Sequence, residues 1–152
     1  MTRGALAEMR TLLLELRPAT LTESSLAELL RQLTQAFSGR SRLPIELTVE
    51  GERPLPPETQ IVFYRIAQEA LNNITKHAGA RQAALKLLFS PQFVSLSIQD
   101  DGRGFDLTNA PLHSLGLGIM RERAEKIGAQ LTINSRIGEG TTVTIHAPVA
   151  SE

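Results

Sequence analysis

Apolar residues recur at three- and four-residue intervals in four segments, and each of these segments predicts an amphipathic helix. The segments are residues 4–17, about 25–37, about 58–77 and about 118–127. Pro18 is expected to end the first helix, because proline lacks the amide hydrogen that a continuing helix needs. Ser24 or Ser25 is expected to cap the second helix, and Gly39 to end it.

Alternation of apolar and polar residues predicts five β-strands. They are expected over residues 45–49, 82–89, 92–99, 131–135 and 141–147. Ser90-Pro91 separates the second strand from the third, and Gly138-Glu139-Gly140 separates the last two, so both pairs are predicted to form hairpins. Helices with one apolar face, combined with such strands, predict a two-layer α/β sandwich.

Composition narrows the class of protein. The chain has 152 residues, enough for one domain with a core, and 16 basic residues balance 16 acidic ones, which argues against general nucleic-acid binding. The absence of cysteine excludes disulfides, thiolate metal sites and cysteine nucleophiles. No apolar run approaches the ~20 residues of a membrane span, and the start of the chain has no signal-peptide core. We therefore expect a soluble, cytoplasmic piece without membrane contact.

The sequence Asp100-Asp101-Gly102-Arg103-Gly104 follows the third predicted strand. A carboxylate at a strand end can accept the exocyclic amine of adenine, and glycines allow a purine ring to approach the backbone closely. Taken alone, this spacing fits an ordinary turn equally well.

A polar stripe lies along the third predicted helix. It contains Glu69, Asn73, Lys76 and His77, at spacings of three and four residues that share one helix face. Mg²⁺ bound to a nucleotide takes most of its ligands from phosphates and water, so the neutral oxygen of Asn73 could suffice as the protein ligand. Lys76 could neutralise phosphate charge. A solvated helix face is the alternative interpretation of the same pattern.

Two further glycine pairs occur later in the chain. Gly116-Leu117-Gly118 opens the fourth helix, where free backbone N–H groups and the helix dipole favour phosphate, although a tight turn into a helix would look the same. Gly138-Glu139-Gly140 fits a hairpin turn, and Thr141 after it could hydrogen-bond near an adenine pocket.

The ordered set of these motifs resembles the ATP-binding domain shared by histidine kinases, type II topoisomerases, Hsp90-type chaperones and mismatch-repair ATPases. No Walker-type Gly-x-x-x-x-Gly-Lys-Ser/Thr is present. The stretch from Tyr64 to Asn73, with Lys76-His77-Ala78, resembles the asparagine box of the sensor histidine kinases that include nitrate sensors and the membrane-fluidity thermosensor. Other segments are similar to that subclass, namely Leu16-Arg17-Pro18, residues 54–57 and residues 116–123. The resemblance covers about residues 5 to 148.

This resemblance implies a Bergerat ATP-binding fold, an α+β two-layer sandwich whose mixed, mainly antiparallel sheet is covered by helices on one face. It implies that Asn73 coordinates Mg²⁺ and that Asp100 binds the adenine amine. Gly102 and Gly104 would line the base and ribose, and Thr141 would also contact the nucleotide.

The phosphate end of the site is likewise implied by the resemblance. Gly116, Leu117 and Gly118 would close a lid over the phosphates, with Lys76 and His77 near them. Glu69 stands where hydrolytic relatives keep a general base. In a kinase it would instead orient the incoming imidazole or the metal-bound water, and the sequence leaves both roles open.

The phosphoacceptor histidine of this subclass has no counterpart here. No histidine precedes His77, which belongs to the asparagine box, while His113 and His146 fall in the lid loop and the last strand. We expect a fragment or a split protein. Residues 1–20 would be the truncated end of the dimerisation and phosphoacceptor hairpin with its linker, and residues 21–150 the ATP-binding catalytic domain.

The expected activity is that of a histidine kinase catalytic domain that binds Mg-ATP and donates the γ-phosphate to a histidine on a dimerisation domain. It would not phosphorylate itself in isolation. Expected partners are that domain, on its own or a partner chain, and a response regulator, within a homodimeric full-length protein that a membrane could anchor. The alternatives are a Bergerat-type ATPase, a serine-directed kinase of the anti-sigma type, and a non-catalytic nucleotide-binding module.

Overall fold

The computed structural model describes residues 23–106 and 116–149. The elements follow in the order α1 (Leu26–Ser41), β1 (Ile45–Glu50), α2 (Pro57–Asn73), a π-helical turn (Ile74–Ala78), β2 (Ala83–Phe89), β3 (Phe93–Asp100), α3 (Leu117–Lys126), β4 (Gln130–Arg136) and β5 (Gly140–Pro148). The helix predicted over residues 4–17 lies outside the described residues, and so do residues 107–115, which include His113 of the predicted lid loop.

The five strands form one sheet in the order β1-β2-β3-β5-β4. β1 and β2 pair in parallel because α2 carries the chain back between them, whereas every other pair is antiparallel and two of these pairs are the predicted hairpins. The register places Asp100, the last residue of β3, opposite Thr141 at the start of β5. The prediction of a mixed, mainly antiparallel sheet is confirmed.

One face of the sheet forms the core with the helices. Leu85, Ile98, Val143 and Ile133 are neighbours across four strands and are all buried, as the period of two predicts. The helices cover this face with their apolar stripes, which include the fully buried side chains Leu29, Leu30, Phe63, Tyr64, Ile66 and Leu71. The core therefore fixes the strand ends and α2, from which the candidate site is built.

The start of α1 agrees with the sequence, whereas its end does not lie at Gly39. Ser25 caps α1, where its hydroxyl accepts a hydrogen bond from the amide of Glu28 at 3.2 Å. The helix passes Gly39 and ends at Ser41, because Arg42 adopts the left-handed conformation (φ 59°) and its N–H donates to the carbonyl of Ser38 at 2.9 Å. A left-handed arginine is an uncommon helix cap, so glycine was the wrong signal here.

The third predicted helix is not one continuous α-helix. α2 ends at Asn73, and residues 74–78 form a wider π-helical turn that Gly79 closes in the left-handed conformation. Thr75 lies where the spacing changes, and its hydroxyl is shared between the carbonyls of Leu71 at 3.1 Å and Asn72 at 3.2 Å. π-Helical turns often occur at functional sites, and this one adjoins the cavity described next.

Candidate functional site

A cavity of about 240 Å³ lies between α2 with its π-helical turn, the end of β3, and the starts of α3 and β5. Six predicted site residues line it, namely Asn73, His77, Asp100, Gly104, Leu117 and Thr141. Its remaining lining is mostly apolar, from Ala70, Ile74, Ala78, Ile98, Phe105 and Val143, with Arg103 as a cation. A concave, largely apolar site with a few convergent polar groups suits a planar base.

Asp100 is the buried acid of the cavity, with 5% of its surface exposed. Its Oδ1 accepts a hydrogen bond from the amide of Gly102 at 2.7 Å. Burial raises the pKa of Asp100 above its ordinary value of 3.8, the Asp101 charge adds to this, and the amides of Gly102 and Thr141 oppose it. The carboxyl is thus held in place by the backbone while it lines the cavity.

Asp101, the next residue, is exposed and has a different, structural role. Its Oδ1 accepts from the amides of Arg81 at 2.8 Å and Gln82 at 3.1 Å, just before β2. The hydrogen bond from Gln82, then that from Arg81, lowers the pKa of Asp101. Asp101 therefore ties the end of β3 to the start of β2, whereas Asp100 faces the cavity.

Backbone bonds join the loop after β3 to the other segments of the site. The amide of Arg103 donates to Ala78 at 2.8 Å, and its carbonyl accepts from Gly138 at 2.6 Å. Gly104 adopts a left-handed conformation (φ 63°), and a β-carbon there would collide with the carbonyl of Arg136. Glycine is required at this position because the loop and β4 approach each other so closely.

The remaining predicted site residues do not line the cavity. Gly102 packs on the Asp100 carboxylate and the Ala78 carbonyl, while Lys76 is exposed on the π-helical turn. Glu69 is half-buried, and its Oε1 lies 2.5 Å from where a β-carbon of Gly116 would stand, next to the start of α3. Gly118 has open space around it. The predicted stripe is thus divided, because Asn73 and His77 line the cavity, whereas Glu69 and Lys76 do not.

Sequence reasoning missed the apolar lining and, in addition, Arg103, Phe105 and Ser135. Arg103 and Phe105 line the cavity, and Ser135 of β4 lies behind Thr141, with 2.8 Å between their hydroxyl oxygens. The hairpin register gives a usable signal for Ser135, since pairing across the glycine turn puts it opposite Thr141. For Arg103 and Phe105, the sequence gives no signal other than their position next to Gly102 and Gly104.

The donor set fits a metal that arrives with a nucleotide. Within residues 23–106 and 116–149, no group of three or more His, Asp or Glu side chains is arranged to hold a metal ion. Asn73 lines the cavity and offers an amide oxygen. One such ligand is compatible with Mg²⁺ that keeps phosphate and water oxygens as its other ligands.

Residues 58–151 match the sequence profile of the family described as "Histidine kinase-, DNA gyrase B-, and HSP90-like ATPase". The chain belongs to this family. The prediction of an ATP-binding catalytic domain of the histidine kinase type is therefore confirmed, and so are its Bergerat fold and nucleotide binding.

Curated relatives within this family are sensor kinases. The chain is 40% identical over 152 residues to Sensor histidine kinase YhcY of Bacillus subtilis (strain 168), covering 99% of this chain and 39% of that protein. It is 32% identical over 154 residues to the histidine-protein kinase/phosphatase DegS of Brevibacillus brevis, covering 100% of this chain and 40% of that protein. The chain spans about two fifths of the length of these relatives.

Solved structures of family members share the architecture. The histidine kinase domain of a blue-light activated kinase from Erythrobacter litoralis EL346 aligns with a TM-score of 0.63 and 25% identity, covering 81% of this chain and 60% of that chain. The mycobacterial sensor histidine kinase MprB aligns with a TM-score of 0.61 and 20% identity, covering 82% of this chain and 95% of that chain, which shows a shared fold. Among the described residues, none of the helices has the length and hydropathy to cross a bilayer.

Proposed function

We propose that this chain binds Mg-ATP in the cavity beside Asp100 and donates the γ-phosphate to a histidine of a dimerisation domain in a two-component sensor kinase. The observation that carries the proposal is the convergence of Asn73, Asp100 and Thr141 on one cavity. These residues come from three separate motifs, and family membership supports the same interpretation.

At the base end, the Asp100 carboxylate accepts the exocyclic amine of adenine. Gly102 and Thr141 hold the carboxyl through their amides, so little reorganisation accompanies binding. The apolar walls from Ile98 and Val143 cover the ring, and Gly104 leaves its edge open to the backbone. This arrangement favours a flat purine with a donor on its edge.

At the phosphate end, Asn73 would hold Mg²⁺ and Lys76 would neutralise phosphate charge. Bound Mg²⁺ supplies charge neutralisation of the phosphate oxygens and orients them. Gly116 and Gly118 place the N-terminal amides of α3 beside the cavity, where backbone N–H groups favour an anion. His77 lines the cavity and would lie near the phosphates.

The transfer itself needs little covalent chemistry from this chain. An imidazole nitrogen of the acceptor histidine attacks the γ-phosphorus, the bond to the β–γ bridging oxygen breaks, ADP leaves, and the imidazole releases a proton. Neutral imidazole is available at pH 7, since its ordinary pKa is about 6.5. The chain contributes position and charge, which dominate catalysis of phosphoryl transfer.

Glu69 is assigned an orienting role. Its carboxylate rests on Gly116 at the start of α3, so we infer that it orients the acceptor imidazole or a metal-bound water. A general base that activates water for hydrolysis is the competing role, and it belongs to the ATPase alternative.

The partners follow from the reaction. We infer that the phosphate acceptor is a helical domain carrying a histidine, on the same or a partner chain, and that a response regulator receives the phosphate from it. We assign residues 21–150 to the catalytic domain and residues 1–20 to the end of a dimerisation hairpin. The full-length protein would be a homodimer, and this kinase domain would lie in the cytoplasm.

A transfer assay tests this proposal. The chain is incubated with Mg²⁺ and ATP radiolabelled in the γ-phosphate, with and without the histidine-bearing helical domain of a similar kinase. Base-stable, acid-labile label on the helical domain alone is the expected result. Acid-stable label on a protein would favour a serine-directed kinase, and free phosphate abolished by Glu69→Ala would favour an ATPase.

A further inference from the structure

A second groove, called here the distal groove, lies at the end of the sheet remote from the nucleotide cavity. Asp100 pairs with Ala83 at the start of β2, whereas the distal groove adjoins Phe89 at the end of β2. The groove has a volume of about 700 Å³ and lies between the start of α1, the end of β1 and the loop after β1. Its apolar lining comes from Leu26, Ala27, Val49, Pro54 and Phe89.

The wall formed by the loop after β1 is held in place. Gly51 adopts a left-handed conformation (φ +84°), and a β-carbon there would lie 2.8 Å from the carbonyl oxygen of Phe89. The guanidinium of Arg53 donates to the carbonyls of Ser90 at 3.3 Å and Pro91 at 3.1 Å, in the turn between β2 and β3. The groove is therefore bounded by a loop that is tied to the sheet.

The core beneath the distal groove is incompletely covered. Leu47 and Val49 of β1 are half-buried, although their neighbours across the sheet, Leu85 and Leu87, are buried. Half-buried apolar side chains keep contact with water that another apolar group would remove. This edge of the core thus favours an additional apolar side chain.

The chain enters the domain at the same place. The buried side chain of Gln60 donates from Nε2 to the carbonyl of Ser24 at 2.7 Å, and Gln60 also lines the groove. Leu21 is three residues before Ser24, so their α-carbons are at most about 11 Å apart. Leu21 is the one large apolar residue in the segment 18–22, and it is within reach of the groove.

We propose that the distal groove is the docking site for residues 18–22 of this chain, with the side chain of Leu21 on its apolar lining. A short polar segment with one apolar anchor matches a groove that has an apolar lining and the polar side chains of Glu52 and Gln60 beside it. In the kinase, and resting there on the proposed function, docking fixes the linker to the catalytic domain. Release would lengthen the tether to the dimerisation hairpin by about 17 Å.

Disulfide trapping tests the docking, because the chain contains no cysteine of its own. The folded variant Leu21→Cys with Glu52→Cys is equilibrated in a glutathione redox buffer, since Glu52 lines the groove and is exposed. Thr20→Cys with Glu52→Cys is the matched control. We expect the Leu21 pair to show an effective concentration at least about 10-fold higher, since docking selects one side chain whereas a free tether samples both alike.

Two outcomes of the trapping experiment would overturn the proposal. Equal effective concentrations for the two pairs would show that the segment does not dock. Disulfides formed between two chains would place the segment of a second copy in the groove.

Thermal unfolding of the full chain gives a second test that needs no cysteine. Leu21→Ala should lower the unfolding midpoint by roughly 3–8 °C, the scale of removing one packed leucine from a domain of this size, and Thr20→Ala should leave it unchanged. An unchanged midpoint in Leu21→Ala would overturn the docking. Neither measurement uses a nucleotide, so its failure leaves the proposed function standing, and absence of ATP binding would leave the docking standing.

Discussion

At the scale of single residues, two adjacent aspartates have opposite environments. The pKa of Asp100 is raised, chiefly by burial, and the pKa of Asp101 is lowered, chiefly by the hydrogen bond from the Gln82 amide. One carboxylate is held in a cavity at a cost in folding free energy, while the other supports the junction of two strands. Substitutions of Asp100 and of Asp101 are therefore expected to change the stability of the fold in opposite directions.

Asp100→Asn should weaken ATP binding without weakening the fold. The folded pKa of Asp100 is raised, so its ionised carboxylate lowers the free energy of unfolding at pH 7. The contribution of Asp100 to stability is fully present below about pH 3.8 and is lost as the pH rises through the folded pKa. The apo variant should be at least as stable as the unaltered chain at pH 7, and this advantage should shrink as the pH approaches 3.8. Urea denaturation at both pH values measures it.

The binding effect of the same variant should be large. An amide in place of the carboxylate turns a donor toward the adenine amine, so ATP affinity should fall roughly 10- to 100-fold, the scale of a hydrogen bond to a charged group. Unchanged affinity in a folded Asp100→Asn chain would contradict the assignment.

Asp101→Ala should destabilise the fold in a pH-dependent way. Its folded pKa is lowered, so its contribution is present above the ordinary value of 3.8 and is lost as pH falls through the folded pKa. The midpoint of thermal unfolding should be lower than that of the unaltered chain at pH 7, and the two should converge in acid. Asp101→Asn is the control, because one oxygen accepts both amide bonds and an amide oxygen can do the same.

Gly116 and Gly118 should respond differently to alanine. Gly116 has φ +67° and a β-carbon there would press on Glu69, whereas Gly118 lies within α3 with open space around it. Gly116→Ala should cost about 1–2 kcal/mol of unfolding free energy, while Gly118→Ala should be neutral or stabilising by up to about 1 kcal/mol. Equal losses in chemical denaturation would show that the start of α3 is not constrained as described.

At the scale of elements, the π-helical turn after α2 carries His77 to the cavity that Asn73, the last residue of α2, also lines. Lys76, on the same turn, is exposed and does not line the cavity. Glu69 does not line it either, although Glu69 and Asn73 are one regular α-helical turn apart.

Thr75→Val tests the importance of this turn. The variant keeps the side-chain shape but removes the hydroxyl that bonds the carbonyls of Leu71 and Asn72 where the helix widens. We expect a loss of about 1 kcal/mol in unfolding free energy and a weaker affinity for ATP. If urea denaturation and nucleotide titration both match the unaltered chain, the hydroxyl does not hold the turn.

The periodicity of the sequence was sufficient for most elements and insufficient for their irregularities. Alternation located all five strands, since each has one face toward the core, which is buried in four strands and half-buried in β1. The end of α1 was misplaced because a left-handed Arg42, rather than Gly39, ends it. The π-helical turn was missed because its residues continue an apolar pattern that a regular helix also satisfies.

At the scale of the whole molecule, the sheet register brings distant motifs together. Pairing of β3 with β5 places Asp100 opposite Thr141, and α2 packs over the same face to add Asn73. Motif spacing therefore predicted six residues of the cavity lining, including its polar ones apart from Arg103. Arg103 and Ser135 were harder to predict from the sequence. The place of Arg103 depends on contacts between loops, and that of Ser135 depends on the hydrogen bonds of its hydroxyl.

The most direct test of the central claim is calorimetric titration of the folded chain with ATP, with and without Mg²⁺. Asp100→Asn and Asn73→Ala are measured beside it, with Asp101→Asn as the matched control. The account predicts that the unaltered chain binds ATP and that Mg²⁺ strengthens this binding. Asp100→Asn should weaken binding roughly 10- to 100-fold with and without Mg²⁺, and binding by Asn73→Ala should no longer respond to Mg²⁺. No binding by the unaltered chain, or equal binding by Asp100→Asn, would contradict it.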